Sequence, residues 1–143
     1  MTNLGVFSIV FHLCIIYFVS AIHKIHSDVW FNGVASYYAL SIERFSGTSI
    51  NSVLTKNGMF VTITTYLTLA FELSFPFLVF NKNFKHIVLI SGILLHISIY
   101  IFMMIHDFQI LYISIYGLFY NNSDFFKLNN YIKSKTYYAK IIR

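Results

Sequence analysis

The chain has 143 residues, enough for one domain; 57% are hydrophobic, only 10% are charged, and mean hydropathy is +0.69. A soluble domain carries about 25% charge, so this composition excludes an ordinary water-soluble surface. The net charge of +5 does not form one patch: five of the ten Lys and Arg fall in the last 17 residues and the rest flank apolar runs. That pattern suits anionic lipid headgroups and excludes a nucleic-acid face.

The first apolar run, Leu4 to Ile22, has 19 residues without a formal charge. As a helix it measures about 28 Å, close to the ~30 Å thickness of bilayer hydrocarbon. No Lys or Arg precedes it and it outlasts a signal-peptide core, so Val19-Ser20-Ala21 reads as part of a retained span. Cys14, the only cysteine, lies inside it, which rules out an intrachain disulfide. The polar cluster His23-Lys24-Ile25-His26-Ser27-Asp28 ends the run. The next segment, about 29–45, is too short and polar to cross, and reads as an interfacial or re-entrant helix capped by Ser27 or Asp28. A Ser/Thr/Asn/Gly-rich loop follows, from Ser46 to Gly58.

The second span is expected over Met59 to Phe80, interrupted by Glu72 and Pro76, and the third over Ile87 to Ile105, with His96 near its middle. Asn81 to His86 is a short link carrying Lys82 and Lys85. Phe108 to Tyr120 supplies a fourth apolar run of 13 residues, about 20 Å of helix and short for a full crossing. Residues 1–126 therefore read as one all-α membrane domain of about four spans, and 127–143 as a basic cytoplasmic tail. With four crossings, Lys82, Lys85 and the tail put seven basic residues on the side of both termini, against Lys24, Arg44 and Lys56 on the other. The excess marks the side of the termini as cytoplasmic, in a bacterial cytoplasmic membrane. Asn121-Asn122-Ser123 matches a glycosylation acceptor, but falls on that side.

Ionisable residues inside spans are informative because each costs roughly 2.5–3.5 kcal/mol at the bilayer centre on insertion scales. His12 and His23 are eleven residues apart and share one helical face with Ser8, as helix-to-helix hydrogen-bonding groups or as ligand contacts. Pro76 has no N–H, so the Glu72 carbonyl loses its helical partner at the level of the Glu72 carboxyl. That coincidence predicts a polar pocket facing the bundle interior. Gly92, one turn before His96, lets another element come close there. Short connection of the second and third spans makes His96 the expected partner of Glu72. Lys24 reads either as a snorkelling anchor at a helix end or as a functional amine. The six histidines show no ligand spacing on one helix with an open position, so no metal site is expected.

Tyr17-Phe18-Val19-Ser20-Ala21-Ile22-His23-Lys24, then Ser27-Asp28, Trp30 and Gly33, resembles the horizontally transferred transmembrane domain family. That family includes the vitamin K-dependent gamma-glutamyl carboxylase and bacterial sporulation-delaying-toxin maturation proteins. The later order of Glu72, Pro76, His96, Met103, Phe108, Tyr116 and Phe119 is similar too, and the likeness runs from about Tyr17 to Phe126. The resemblance implies a helical membrane module and reduced-quinone chemistry that drives peptide carboxylation. It places Lys24 at the position of a catalytic lysine that activates the hydroquinone. His23 stands where the carboxylase has another lysine.

The chain resembles roughly the second half of the module, which implies a second membrane subunit supplying the remaining helices. In this reading Lys24 is the candidate base, acting toward a reduced quinone or similar lipid-soluble substrate. The segment 29–45 covers it, and Trp30, Tyr37 and Tyr38 are candidate contacts of that substrate or of a peptide. The alternatives are a non-catalytic accessory, immunity or scaffold subunit, and a DoxX-like four-helix protein associated with quinones.

Overall fold

The computed structural model describes residues 4–45 and 48–120. Every regular element among them is helical: α1 (Leu4–Ile25), α2 (Asp28–Phe31), α3 (Ala35–Ser41), α4 (Asn51–Leu54), α5 (Gly58–Leu78), α6 (Lys85–Met103) and α7 (His106–Tyr116), with 3-10 turns at Glu43–Phe45 and Gly117–Phe119. Three of them, α1, α5 and α6, are long and apolar enough to cross a membrane. This is the helix set of an integral membrane protein.

The three long helices start and stop for local reasons. Asn57 caps α5, its side chain accepting the Phe60 N–H at 3.1 Å, which satisfies one of the helix's unpaired amides. Pro76 sits in the last turn of α5, which ends two residues later at Leu78. At its far end α6 stops where Met104 turns left-handed, with φ 50°. Chain direction then reverses into α7, and the Tyr100 and His106 rings meet at 4.5 Å across the corner.

Inward-facing residues recur about once per turn, as a helix period requires: Leu13, Cys14, Tyr17 and Ala21 on α1; Val61, Thr65, Glu72 and Phe75 on α5; Val88, Leu89, Gly92 and His96 on α6. The outer faces keep large apolar residues exposed, such as Phe11, Leu67, Phe77 and Leu94. Lipid tails are as apolar as leucine, so association here rests on close packing and on hydrogen bonds between helices, about 0.6–2 kcal/mol each. Helices α1 and α5 run antiparallel, with Phe18 edge-on to Phe77 at 6.0 Å and Tyr17 against Phe75 at 4.6 Å.

Two expectations need correcting. The segment 29–45 is not one helix. Asn32 ends α2 and Gly33 takes φ 71°, a left-handed turn that separates α2 from α3, and the chain then closes in a 3-10 turn. A Cβ at Gly33 would lie 3.0 Å from the Tyr66 ring, so glycine also permits the close approach to α5. The fourth run is not a helix over 108–120: α7 has 11 residues, about 16 Å, and a 3-10 turn completes it. The tail from 127 and the Asn121 triplet lie outside the described residues.

Candidate functional site

Lys24 is in the last turn of α1. Its amine turns toward α5. There it forms an ion pair with Glu72 Oε1 of α5. Ala21, with no exposure, gives the two helices room to approach just beside the pair. The Lys24 amine also lies over the Trp30 ring, 4.6 Å from its centre, a cation–π contact with the best aromatic partner available. Glu72 is only 7% exposed. Its second oxygen, Oε2, is buried and has no hydrogen-bond partner among the described residues. A buried carboxylate oxygen without a donor is costly, so this one is an open acceptor beside a cation.

The α2–α3 segment is tied across this pair. The Tyr66 hydroxyl donates to the Phe31 carbonyl at 2.7 Å. Fully buried Thr65 accepts the Ser36 backbone N–H at 3.0 Å and donates to the Val61 carbonyl at 2.8 Å. Farther along, buried Asn51 donates to the Phe102 carbonyl at 2.8 Å, satisfying a C-terminal acceptor of α6. The Tyr66–Phe31 bond holds the residue next to Trp30 against α5.

A second polar group fills the space between α1, α6 and α7. Tyr17 Oη lies 2.7 Å from His96 Nε2 and 2.5 Å from Tyr116 Oη, and His96 Nδ1 bonds Gln109 Oε1. The amide oxygen only accepts, so Nδ1 carries a proton. In a neutral imidazole Nε2 then accepts from Tyr17, and Tyr17 accepts from Tyr116. The donors align in one direction, Tyr116 to Tyr17 to His96 to Gln109. Tyr112 stacks on the His96 ring at 4.8 Å and 21°. Gly92 makes the space for Tyr116, because a Cβ there would lie 2.6 Å from the Tyr116 hydroxyl.

The structure brings together Lys24, Glu72 and Trp30, and buries His96 as expected. Glu72 and His96 do not bond each other: the carboxylate takes Lys24, and the imidazole takes Tyr17 and Gln109. His12 and His23 do not join the pocket, since both lie on the exposed face of α1. Tyr37 and Tyr38 are exposed on α3 and pack edge-on to each other at 5.4 Å. Among the described residues no three His, Cys, Asp or Glu come together to hold a metal ion. Sequence reasoning missed Tyr17, Gln109, Tyr112 and Tyr116 as one site. The signal was present in part: Gln109 is a lone amide in an apolar run, and 109, 112 and 116 share one helical face.

No family model, curated protein or solved structure matches the chain.

Proposed function

We propose that this is a small polytopic membrane protein that binds a lipid-soluble, hydroxyl-bearing molecule at the Lys24–Glu72 pair, with that pair as its acid–base centre. The observation that carries the reading is the buried, unpartnered Glu72 Oε2 beside the Lys24 amine. An acidic hydroxyl donates to Oε2, and the oxyanion left when its proton passes to the carboxylate faces the lysine. The base role that the sequence assigned to Lys24 passes to Glu72 in this reading, with Lys24 as the cation that faces the oxyanion. Reduced quinone is the substrate class that the carboxylase-like resemblance favours, with peptide maturation and a second membrane subunit as its wider setting.

Trp30 is the only tryptophan and touches the lysine, so it reports on the site directly. Titrating menadiol anaerobically into the protein in lipid nanodiscs should quench Trp30 fluorescence saturably. Glu72→Gln should abolish saturation, while Lys24→Arg, which keeps a cation beside the carboxylate, should still quench saturably. Linear quenching, equal in all three proteins, would sink the proposal.

The non-catalytic accessory reading draws support from a different observation: Tyr17, His96, Gln109 and Tyr116 find their partners within the chain, as packing groups do.

The fourth crossing and the shared cytoplasmic side of both termini belong to the same proposal. Supporting them, residues 106–120 run antiparallel beside α6, from the Tyr100–His106 contact to Tyr120 over Lys85 and His86. Labelling a cysteine at position 137 in a Cys14→Ser background from outside the cell would refute that orientation.

A further inference from the structure

We infer that the groove between α1 and α7 is a binding site for a single-chain amphiphile with a neutral hydroxyl or carbonyl head. This does not rest on the Lys24–Glu72 reading. Residues of the two helices line a cavity of about 600 Å³, within the 300–1,000 Å³ range of small-ligand sites. Ile9, Leu13 and Ile16 form one wall, and Phe108, Leu111 and Ile115 the other.

Into this apolar groove project two groups able to hydrogen-bond and not doing so. Neither the His12 imidazole nor the Tyr112 hydroxyl bonds any described residue, whereas the Ser8 hydroxyl already donates to the Leu4 carbonyl at 2.9 Å. His12 stands roughly 12 Å along a helix of about 33 Å, within a candidate span. Lipid tails offer a polar group no partner at that depth. Whatever fills the groove must therefore bring a hydrogen-bonding head to His12 and Tyr112.

The dimensions and the charge select the occupant. From Ile9 to Ile16 the wall runs two turns, about 10 Å, far less than the seam along which a neighbouring transmembrane helix would lie. An alkyl chain fits two apolar walls. Among the described residues no Asp, Glu, Lys or Arg lines the cavity, so none of them would hold a charged head. Tyr112 lines the groove and its ring stacks on His96, so an occupant touches the residue that covers the buried network.

The test uses the full chain in phosphatidylcholine nanodiscs and a hexadecanol analogue carrying a diazirine in its chain. After illumination, mass spectrometry should find saturable labelling concentrated on residues 8–16 and 108–115, displaced by unlabelled hexadecanol. His12→Leu removes no hydrogen bond to a described residue and Tyr112→Phe keeps the stacking ring, so both variants should fold. Each should weaken labelling about threefold to tenfold, as loss of one hydrogen bond implies. Three results would overturn the inference: labelling that follows exposure and marks Leu67, Ile90 and Leu94 equally; labelling unchanged in both variants; or cross-links between two copies at the groove, which would make a second chain its occupant.

Discussion

Replacing Gly92 by alanine is a severe test of the packing around His96. On an exposed helix the change would be favourable by about 1 kcal/mol, because alanine is the better helix former. At this position the added methyl carbon would stand 2.6 Å from the Tyr116 hydroxyl and 2.8 Å from its ring, well inside van der Waals contact. Tyr116 is 1% exposed and hydrogen-bonded to Tyr17, so it has no free space to move into. Overpacking of this kind costs about 1–3 kcal/mol, and displacing the hydroxyl from Tyr17 adds about 0.5–1.5 kcal/mol. Set against the helix-propensity gain, the net destabilisation is about 1–3 kcal/mol. Equilibrium unfolding in mixed detergent and SDS micelles, followed by circular dichroism, reads this as a lower midpoint. Adding Tyr116→Ala to Gly92→Ala should make the Gly92 change favourable, because the clashing ring is gone. A neutral or stabilising Gly92→Ala in the parent protein would refute the placement of α7 against α6.

Tyr17→Phe leaves His96 Nε2 and the Tyr116 hydroxyl without their shared partner, and should cost about 1–3 kcal/mol in the same unfolding assay; no change would mean the three groups are not in contact. Lys24→Met strands a mostly buried carboxylate and should lower stability by about 3 kcal/mol, whereas Lys24→Met with Glu72→Leu should recover most of the loss. Equal stability of the single and double variants would count against the pair. Gly33→Ala forces a side chain into a left-handed turn against Tyr66. It should cost about 1–3 kcal/mol and shift Trp30 emission to the red as the α2–α3 segment loosens; an unaltered spectrum would contradict that segment's role.

The three long helices were legible because hydropathy and length alone mark them, to within three residues at each end. The interior placement of Glu72 and His96 was also legible, since a polar group in hydrocarbon has few other places to go. Their partners were not. Pairing depends on the stagger of α1 against α5, which brings Lys24 level with Glu72, and no spacing within either helix encodes that offset. Lys24 looked like a boundary anchor from its place at the end of α1, but its amine pairs with Glu72 on α5. His12 shared a face with His23, as the spacing indicated, yet both are exposed and neither joins the Lys24–Glu72 site. Gly33 broke the segment 29–45 through a backbone conformation that composition does not reveal, and Gln109 passed for part of an apolar run.

The contact between Lys24 and Glu72 is central to the account and can be measured directly in a bilayer. The chain has two glutamates, Glu43 and Glu72, so a Glu43→Gln background leaves a single glutamate carboxyl to observe. Solid-state NMR of that variant, with ¹⁵N in the lysine side chains and ¹³C in the glutamate carboxyl, should show strong dipolar dephasing between one amine and the carboxyl, and Lys24→Arg should remove it. Absence of dephasing, or dephasing that survives Lys24→Arg, would contradict the pair and the site built on it.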